Sequence, residues 1–281
     1  LLFAIEPEYA WMIQQVIDTF KCGDPEERTF RYCGKEIKQA NDYTIRVTCV
    51  DTTKKLKEIR IQSGRKNTDP LNDNEKTQVK SVAGSLTWIA RQCRPDLAYR
   101  VSKVQQLATR GRVSDLRYVN KVVRYAIATS DYGLTFKPGI LDWDKLACCV
   151  VTDASHANEE EVGVTPTGQV KVEPHRSQGG RIQLLTNQDD LKGDNLACHL
   201  IGFSSIVIKR TVRSTVQAET YGLSSGVEEG DRLRAGIADI FDALDYRRWE
   251  ATAAAFMQQY WFTDCRSVRD SLVRPVFTKM A

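Results

Sequence analysis

Leu146-Ala-Cys-Cys-Val-Val-Thr-Asp153 is an unbroken apolar run that ends in Thr-Asp and passes at once into the polar pair Ala154-Ser155. A second run, Phe256-Met-Gln-Gln-Tyr-Trp-Phe-Thr-Asp264, ends the same way ahead of Cys265-Arg266-Ser267. Short apolar runs bounded by turn formers read as buried strands. Strands that finish in aspartate put carboxylates at the carboxyl edge of an α/β sheet, where such sheets hold ligands. Between the runs lies Ser214-Thr-Val-Gln-Ala-Glu219, with serine and glutamine spaced as in a capping box. Glu219 then shares a helix face with Leu223 and Val227, the face that packs on the sheet. A glutamate there is costly unless compensated, and three carboxylates brought together resist full ionisation. Divalent cations remove that conflict, since hard ions such as Mg²⁺ take carboxylate oxygens, waters and phosphates. Asp153, Glu219 and Asp264 are therefore the candidate metal-binding and catalytic residues of an α/β fold with a mixed sheet.

Outward from the first run, residues 156–195 are polar and read as loop, with a strand-like Arg181-Ile-Gln-Leu-Leu185 inside. Residues 197–208 give one long or two short strands. The helix from Ser214 towards Leu244 is expected to break at Gly226 or Gly230, and a short helix opens at Ser267. Upstream of Leu146 come a short acidic turn, Lys137-Pro-Gly and a strand over 132–136. Three helices precede these. The first carries Val79, Val82, Ala83, Leu86 and Ile89 or Ala90 at helical spacing, and ends at Arg94-Pro95-Asp96, where Pro opens the next helix. The second carries Leu97, Val101, Val104 and Leu107 or Ala108. The third, with Ser114 as its expected cap, carries Leu116, Val119, Val122, Val123, Ala126 and Ile127. Residues 63–75 hold turn formers and read as a linker. Residues 9–20 are helical, and 30–38 and 43–50 form an antiparallel pair with one wet face.

The 281 residues suffice for one or two domains. No run of about 18 apolar residues exists, so no membrane partner is expected. The first residues carry neither Met nor the basic flank of a signal peptide, and the chain reads as an internal piece of a longer one. Forty basic against 36 acidic residues leave a net charge of +4, mildly basic and compatible with nucleic acid. Eight cysteines without a C-x-x-C pair point to an intracellular, reducing setting without disulfides. Lys209-Arg210-Thr-Val-Arg213, just ahead of the Glu219 helix, would lie beside the carboxylates. Lys209, Arg210 and Arg213 are the candidate nucleic-acid contacts, holding a phosphate backbone.

Several blocks resemble the carboxyl-terminal part of copia-type retrotransposon Pol polyproteins. Val82-Ala-Gly-Ser-Leu-Thr-Trp-Ile-Ala-Arg91, Arg94-Pro-Asp-Leu-Ala-Tyr99, Val122-Val-Arg-Tyr125 and Asp131-Tyr-Gly-Leu134 are similar to the stretch behind the reverse transcriptase. Thr152-Asp153-Ala154, Ser214-Thr-Val-Gln-Ala-Glu219 and Thr263-Asp264 are similar to the family's ribonuclease H blocks, in the same order. The resemblance implies residues 1–75 as the end of a reverse transcriptase with its linker, 76–140 as a helical connection region, and 141–281 as a C-terminally truncated ribonuclease-H-like domain. It implies two Mg²⁺ ions, with Mn²⁺ as substitute, Asp153 bridging both and Glu219 and Asp264 holding one each. The implied reaction is hydrolysis of the RNA strand of an RNA–DNA hybrid. The implied partners are that hybrid and the upstream reverse transcriptase region of the same polyprotein, in a cytoplasmic particle or the nucleus. The Tyr-x-Asp-Asp polymerase turn is absent, so no DNA synthesis is expected. The family's fourth acidic residue lies beyond the last residue here, and the interval between Asp153 and Glu219 is long for the family.

The alternative is an inactive, truncated remnant that keeps the fold and at most binds nucleic acid. Taken singly, Asp153 and Asp264 could each simply end a strand, and Glu219 could serve the helix dipole. Glu159-Glu-Glu161 reads as a solvated loop rather than extra ligands. His156 reads as a turn residue, His199 as a hydrogen-bonded core residue, and Tyr260 and Trp261 as core.

Overall fold

The structure is a computed structural model that describes residues 8, 10–21, 26–107, 111–164 and 170–273, with the backbone alone for 10, 158–164 and 170–175. The side chains of Glu159, Glu160, Glu161 and His175 thus lie outside the described residues, as do Cys22 and Ala108. After α1 (Ala10–Phe20) come β1 (Thr29–Tyr32), β2 (Lys35–Gln39), β3 (Ile45–Thr48) and α2 (Val50–Lys54). Then follow α3 (Asp73–Cys93), α4 (Ala98–Leu107), α5 (Val113–Ala128) and β4 (Gly133–Phe136). The remainder is β5 (Leu146–Val164), β6 (Val170–Asn187), β7 (Cys198–Ile208), α6 (Thr215–Ile240), α7 (Trp249–Phe256), β8 (Gln258–Phe262) and α8 (Arg266–Val273). The protein is α/β, with one antiparallel sheet ordered β1-β2-β3-β4 and one mixed sheet ordered β7-β6-β5-β8.

The expected strand over 30–38 is a hairpin, because Cys33 and Gly34 both adopt positive φ and turn the chain back. The three helices form where the periodicity places them. Val79, Ala83, Leu86, Ile89, Leu97, Val101, Val104, Leu116, Val119 and Val122 are buried in one core with Cys49 and Leu56. That core runs continuously through position 75, and β4 completes the sheet begun by β1–β3. Helix α5 starts earlier than the Ser114 cap implies. Val113 is its first residue, and the Asp115 carboxylate accepts the Arg112 N–H at 2.7 Å.

The Arg94-Pro-Asp block is a buried clamp. Arg94 donates from Nε and Nη2 to the two Asp96 oxygens at 2.8 and 2.7 Å, and from Nη2 to Thr129 Oγ1 at 2.6 Å. Bidentate geometry of this kind is the form in which a buried guanidinium is tolerated. It ties the end of α3 to the end of α5.

The mixed sheet departs from expectation in two places. β5 does not end at Asp153 but continues to Val164, because β6 supplies an antiparallel partner: Asp153 pairs with Gly180 and Ser155 with Gln178, and pairing resumes after irregularities on either side of Glu159. Polar composition did not mean loop here, since an antiparallel ribbon needs no second buried face. Nor does α6 break at Gly226 or Gly230. Both glycines face the sheet, where an added Cβ would sit 2.6 Å from Thr152 Cγ2 at Gly226, and 2.8 Å from Val150 Cγ2 at Gly230. They are contact points rather than helix ends. α7 was not anticipated, and Phe256, read as strand, closes it.

Replacing Gly226 by Ala forces a methyl group into that contact and should destabilise the protein by about 1–3 kcal/mol. Gly236 lies on the same helix with nothing near its Cβ position, so Gly236→Ala should stabilise by about 0.5–1 kcal/mol. Urea midpoints of the two variants check the opposite signs.

Candidate functional site

Strands β5 and β8 run parallel, and their last paired rung is Val151–Phe262. Asp153 and Asp264 each stand two residues beyond it, so the register alone carries both carboxylates to one level of the sheet. The turn after β8 is held by the Cys265 N–H donating to Thr263 Oγ1 at 3.1 Å. Glu219 arrives from the second turn of α6. The Ser214 side chain caps this helix by accepting the Gln217 N–H, while the Gln217 side chain accepts from Arg213 instead of Ser214.

One oxygen from each of Asp153, Glu219 and Asp264 lies within 4.8 Å of the other two. The aspartates are exposed, whereas Glu219 is 4% exposed. Its Oε1 accepts the Ala154 N–H at 3.2 Å, and its Oε2 is buried with no hydrogen-bond partner among the described residues. Burial first, then the charges of Asp153 and Asp264, push the Glu219 carboxyl above its ordinary range, opposed by the Ala154 N–H. Cys148 and Cys149 fill the strand beneath as small apolar residues, their thiols pushed up by burial to about 12 and about 11. All seven described cysteines are free thiols.

Lys209, Arg210 and Arg213 are exposed on the segment that enters α6. Arg210 lies over the Tyr221 ring at 5.2 Å. His156 is half-buried, its Nε2 3.4 Å from the Val212 carbonyl, and joins β5 to this segment. His199 is the core residue expected, buried with Nε2 3.1 Å from the Lys137 carbonyl. Trp261 is 50% exposed and Tyr260 is also exposed; they are not core, because β8 is an outer strand among the described residues.

A cleft of about 680 Å³ opens between α3, α4 and the outer edge of β7. Arg91, Arg176, Arg181 and Lys209 line it, with Ser204 and Ser205. Asp153, Gly180 and Ser205 occupy one rung across β5, β6 and β7, so the cleft starts about 10 Å from Asp153. Gly180 leaves the rung bare between them. Sequence reasoning found only Lys209 of these four cations. The others come from two distant segments, Arg91 from α3 and Arg176 and Arg181 from β6, and no local pattern announces that they meet. Arg181 is also held by Glu229 of α6, which accepts from Gln183 as well.

Comparison with known proteins bears on this arrangement. The chain is 26% identical over 161 residues to the retrovirus-related Pol polyprotein from transposon RE1 of Arabidopsis thaliana, a match covering 57% of this chain and 9% of that protein. It is equally identical, over the same length, to the Pol polyprotein from transposon RE2 of that plant. A transposon Ty5-1 protein of Saccharomyces cerevisiae is 31% identical over 109 residues, 39% of this chain and 30% of the yeast protein. No family model matches, and no solved structure matches significantly. The chain thus has homologues, at low identity and over part of its length, among Pol polyproteins of copia-type transposons. Among the described residues no helix is long and apolar enough to cross a membrane.

Because the Glu219 carboxyl is raised in the folded state, its contribution favours the fold at low pH and is lost as pH rises through the folded value. In buffer free of divalent ions, Glu219→Gln should therefore raise the thermal midpoint above wild type at pH 8. The difference should shrink towards pH 5. Unfolding scans across that range measure it.

Proposed function

We propose that the chain carries a ribonuclease-H-like site that hydrolyses the RNA strand of an RNA–DNA hybrid. The observation that carries this reading is the buried Oε2 of Glu219, without a hydrogen-bond partner among the described residues, on a side chain clustered with two exposed aspartates. A buried carboxylate oxygen without a donor is rare and costly, and cation ligation is the chemistry that satisfies it. Asp153, Glu219 and Asp264 would together hold Mg²⁺ or Mn²⁺ through their carboxylate oxygens. Bound there, divalent cations would activate a water and stabilise the leaving oxygen of a phosphodiester. The Ala154 N–H orients Glu219, and the β5–β8 register fixes the aspartates, so the donors are preorganised. A mixed sheet with three antiparallel strands, a parallel fourth and a long helix beneath is consistent with the ribonuclease H architecture. The copia-type relatives support the same reading.

Lys209, Arg210 and Arg213 lie on the segment that leads into the helix of Glu219, and the cation-lined cleft begins on the same rung as Asp153. They would hold the phosphate backbones of the hybrid by charge rather than by sequence. Selection of a hybrid would rest on groove shape and 2′-hydroxyl contacts. The upstream polymerase region of a Pol polyprotein would be the natural source of that substrate.

Cleavage of an end-labelled RNA–DNA hybrid, with Mg²⁺ or Mn²⁺ titrated in, tests the proposal directly. Asp153→Asn should lower the rate by more than about a hundredfold, exceeding the 10–100-fold typical of residues that only support metal ligands. Folded wild type that never cuts, at any concentration of either ion, would leave an inactive nucleic-acid-binding remnant. Separately, Lys209→Ala with Arg213→Ala should weaken hybrid binding at all sequences alike and reduce the salt slope of log K by about 2. Fluorescence anisotropy at several salt concentrations gives that slope.

A further inference from the structure

At the end of the mixed sheet opposite the carboxylates, the acidic turn before β5 meets the C-terminal end of α6. Trp143 packs on Phe241 with ring centroids 5.3 Å apart, and Phe241 packs on Phe256 at 5.7 Å. Yet Trp143 remains 58% exposed, Phe241 45% and Tyr246 73%. Exposed aromatic clusters of this kind are uncommon on a surface with no partner, and aromatic rings are the side chains that most often anchor interfaces.

The rim of this patch is acidic. Asp142 and Asp144 flank Trp143, Asp242 follows Phe241, and Asp239 accepts the Tyr246 hydroxyl at 2.5 Å. The nearby cations are largely committed: Lys145 pairs with Asp189 at 3.0 Å and Arg248 with Asp245 at 2.9 Å. Arg247 is left, against Asp142, Asp144 and Asp242, none of which forms an ion pair among the described residues. The face is therefore negative on a chain whose net charge is +4. Aromatic faces set among carboxylates suit a guanidinium or ammonium group, which gains from the rings and the charges together.

We propose that this acidic, aromatic face docks an arginine- and lysine-rich peptide segment of a partner protein. The face lies about 23 Å from Asp153, seven residues along β5, so occupancy would not obstruct the carboxylate site. A basic peptide is repelled by the chain as a whole, so its capture must come from a local surface. The carboxylate cluster is the competing acidic surface, and the experiment separates the two.

The probe is a fluorescein-labelled nona-arginine peptide titrated with the full chain and read by anisotropy at about 50 mM salt, with nona-glutamine as the neutral control. Trp143→Ala is expected to weaken binding by about three- to fivefold. Asp144→Asn with Asp242→Asn should weaken it further, and Asp153→Asn should leave it unchanged. Trp143 and Asp144 are surface residues and Asn tolerates the positive φ of Asp242, so folding is preserved and circular dichroism verifies it. Binding that is equal in all variants, or lost only in Asp153→Asn, overturns the proposal. So does a concentration-dependent dimer in sedimentation that Trp143→Ala abolishes, since that assigns the face to a second copy. Hybrid cleavage is a separate readout, and its failure leaves this proposal standing.

Discussion

The close approach of α6 to β5 is the contact on which the carboxylate cluster depends. Gly222, Gly226 and Gly230 face Ala154, Thr152 and Val150 in turn, stepping along the helix in fours and along the strand in twos. The two periodicities match only because the helix has no side chains along that line, which lets its backbone settle on the strand. Glu219 belongs to the same helix, one turn before the line begins. Its carboxylate is thereby lowered to the level of the Ala154 N–H. A larger side chain in the line would lift the helix and draw Glu219 away from both aspartates, with no change at the site itself.

That geometry explains how much the sequence disclosed. The apolar runs before Asp153 and Asp264 and the cap at Ser214 are local signals, and all three carboxylates meet where those signals point. The glycines misled, because a glycine in a helical pattern is ambiguous between an interruption and a contact, and the difference lies in what the other element presents. The segment after Asp153 misled for a related reason. Its polar composition carries no strand signal, and its backbone becomes strand by pairing with β6. Trp261 reads as core from sequence because its hydrophobicity is visible there and the outer position of β8 among the described strands is not. The cleft cations are beyond reach for the same cause: Arg91 of α3 meets Arg176 and Arg181 of β6 through tertiary packing alone.

The blocks that resemble transposon polyproteins do different kinds of work. Thr152-Asp153-Ala154 and Thr263-Asp264 place chemistry at the sheet edge. Arg94-Pro-Asp96 places none, since its charged groups are consumed in a clamp between α3 and α5. Such a clamp fixes helix ends that also form one wall of the cleft, where Arg91 lies one turn before Arg94. Gln178 crosses from β6 to Ser102 of α4 at 3.0 Å and to Ser205 of β7 at 2.8 Å. Helical and sheet walls are thus hydrogen-bonded to one another beside the rung that holds Asp153.

Charge is distributed so that the parts require one another. In the proposed reading, a phosphate backbone is drawn by Lys209 and the arginines of the cleft towards a cluster of three carboxylates that repels it. Without cations, the attraction and the repulsion lie about two strand spacings apart, and the strand would rest in the cleft short of the scissile position. Under that proposal, two divalent cations at the carboxylates would outweigh their three charges and offer a partner to Glu219 Oε2 at the same time. Their binding would relieve the cost of burying Glu219 and ease the last stretch of the substrate's path. Stability and substrate engagement would therefore respond together to the same ions.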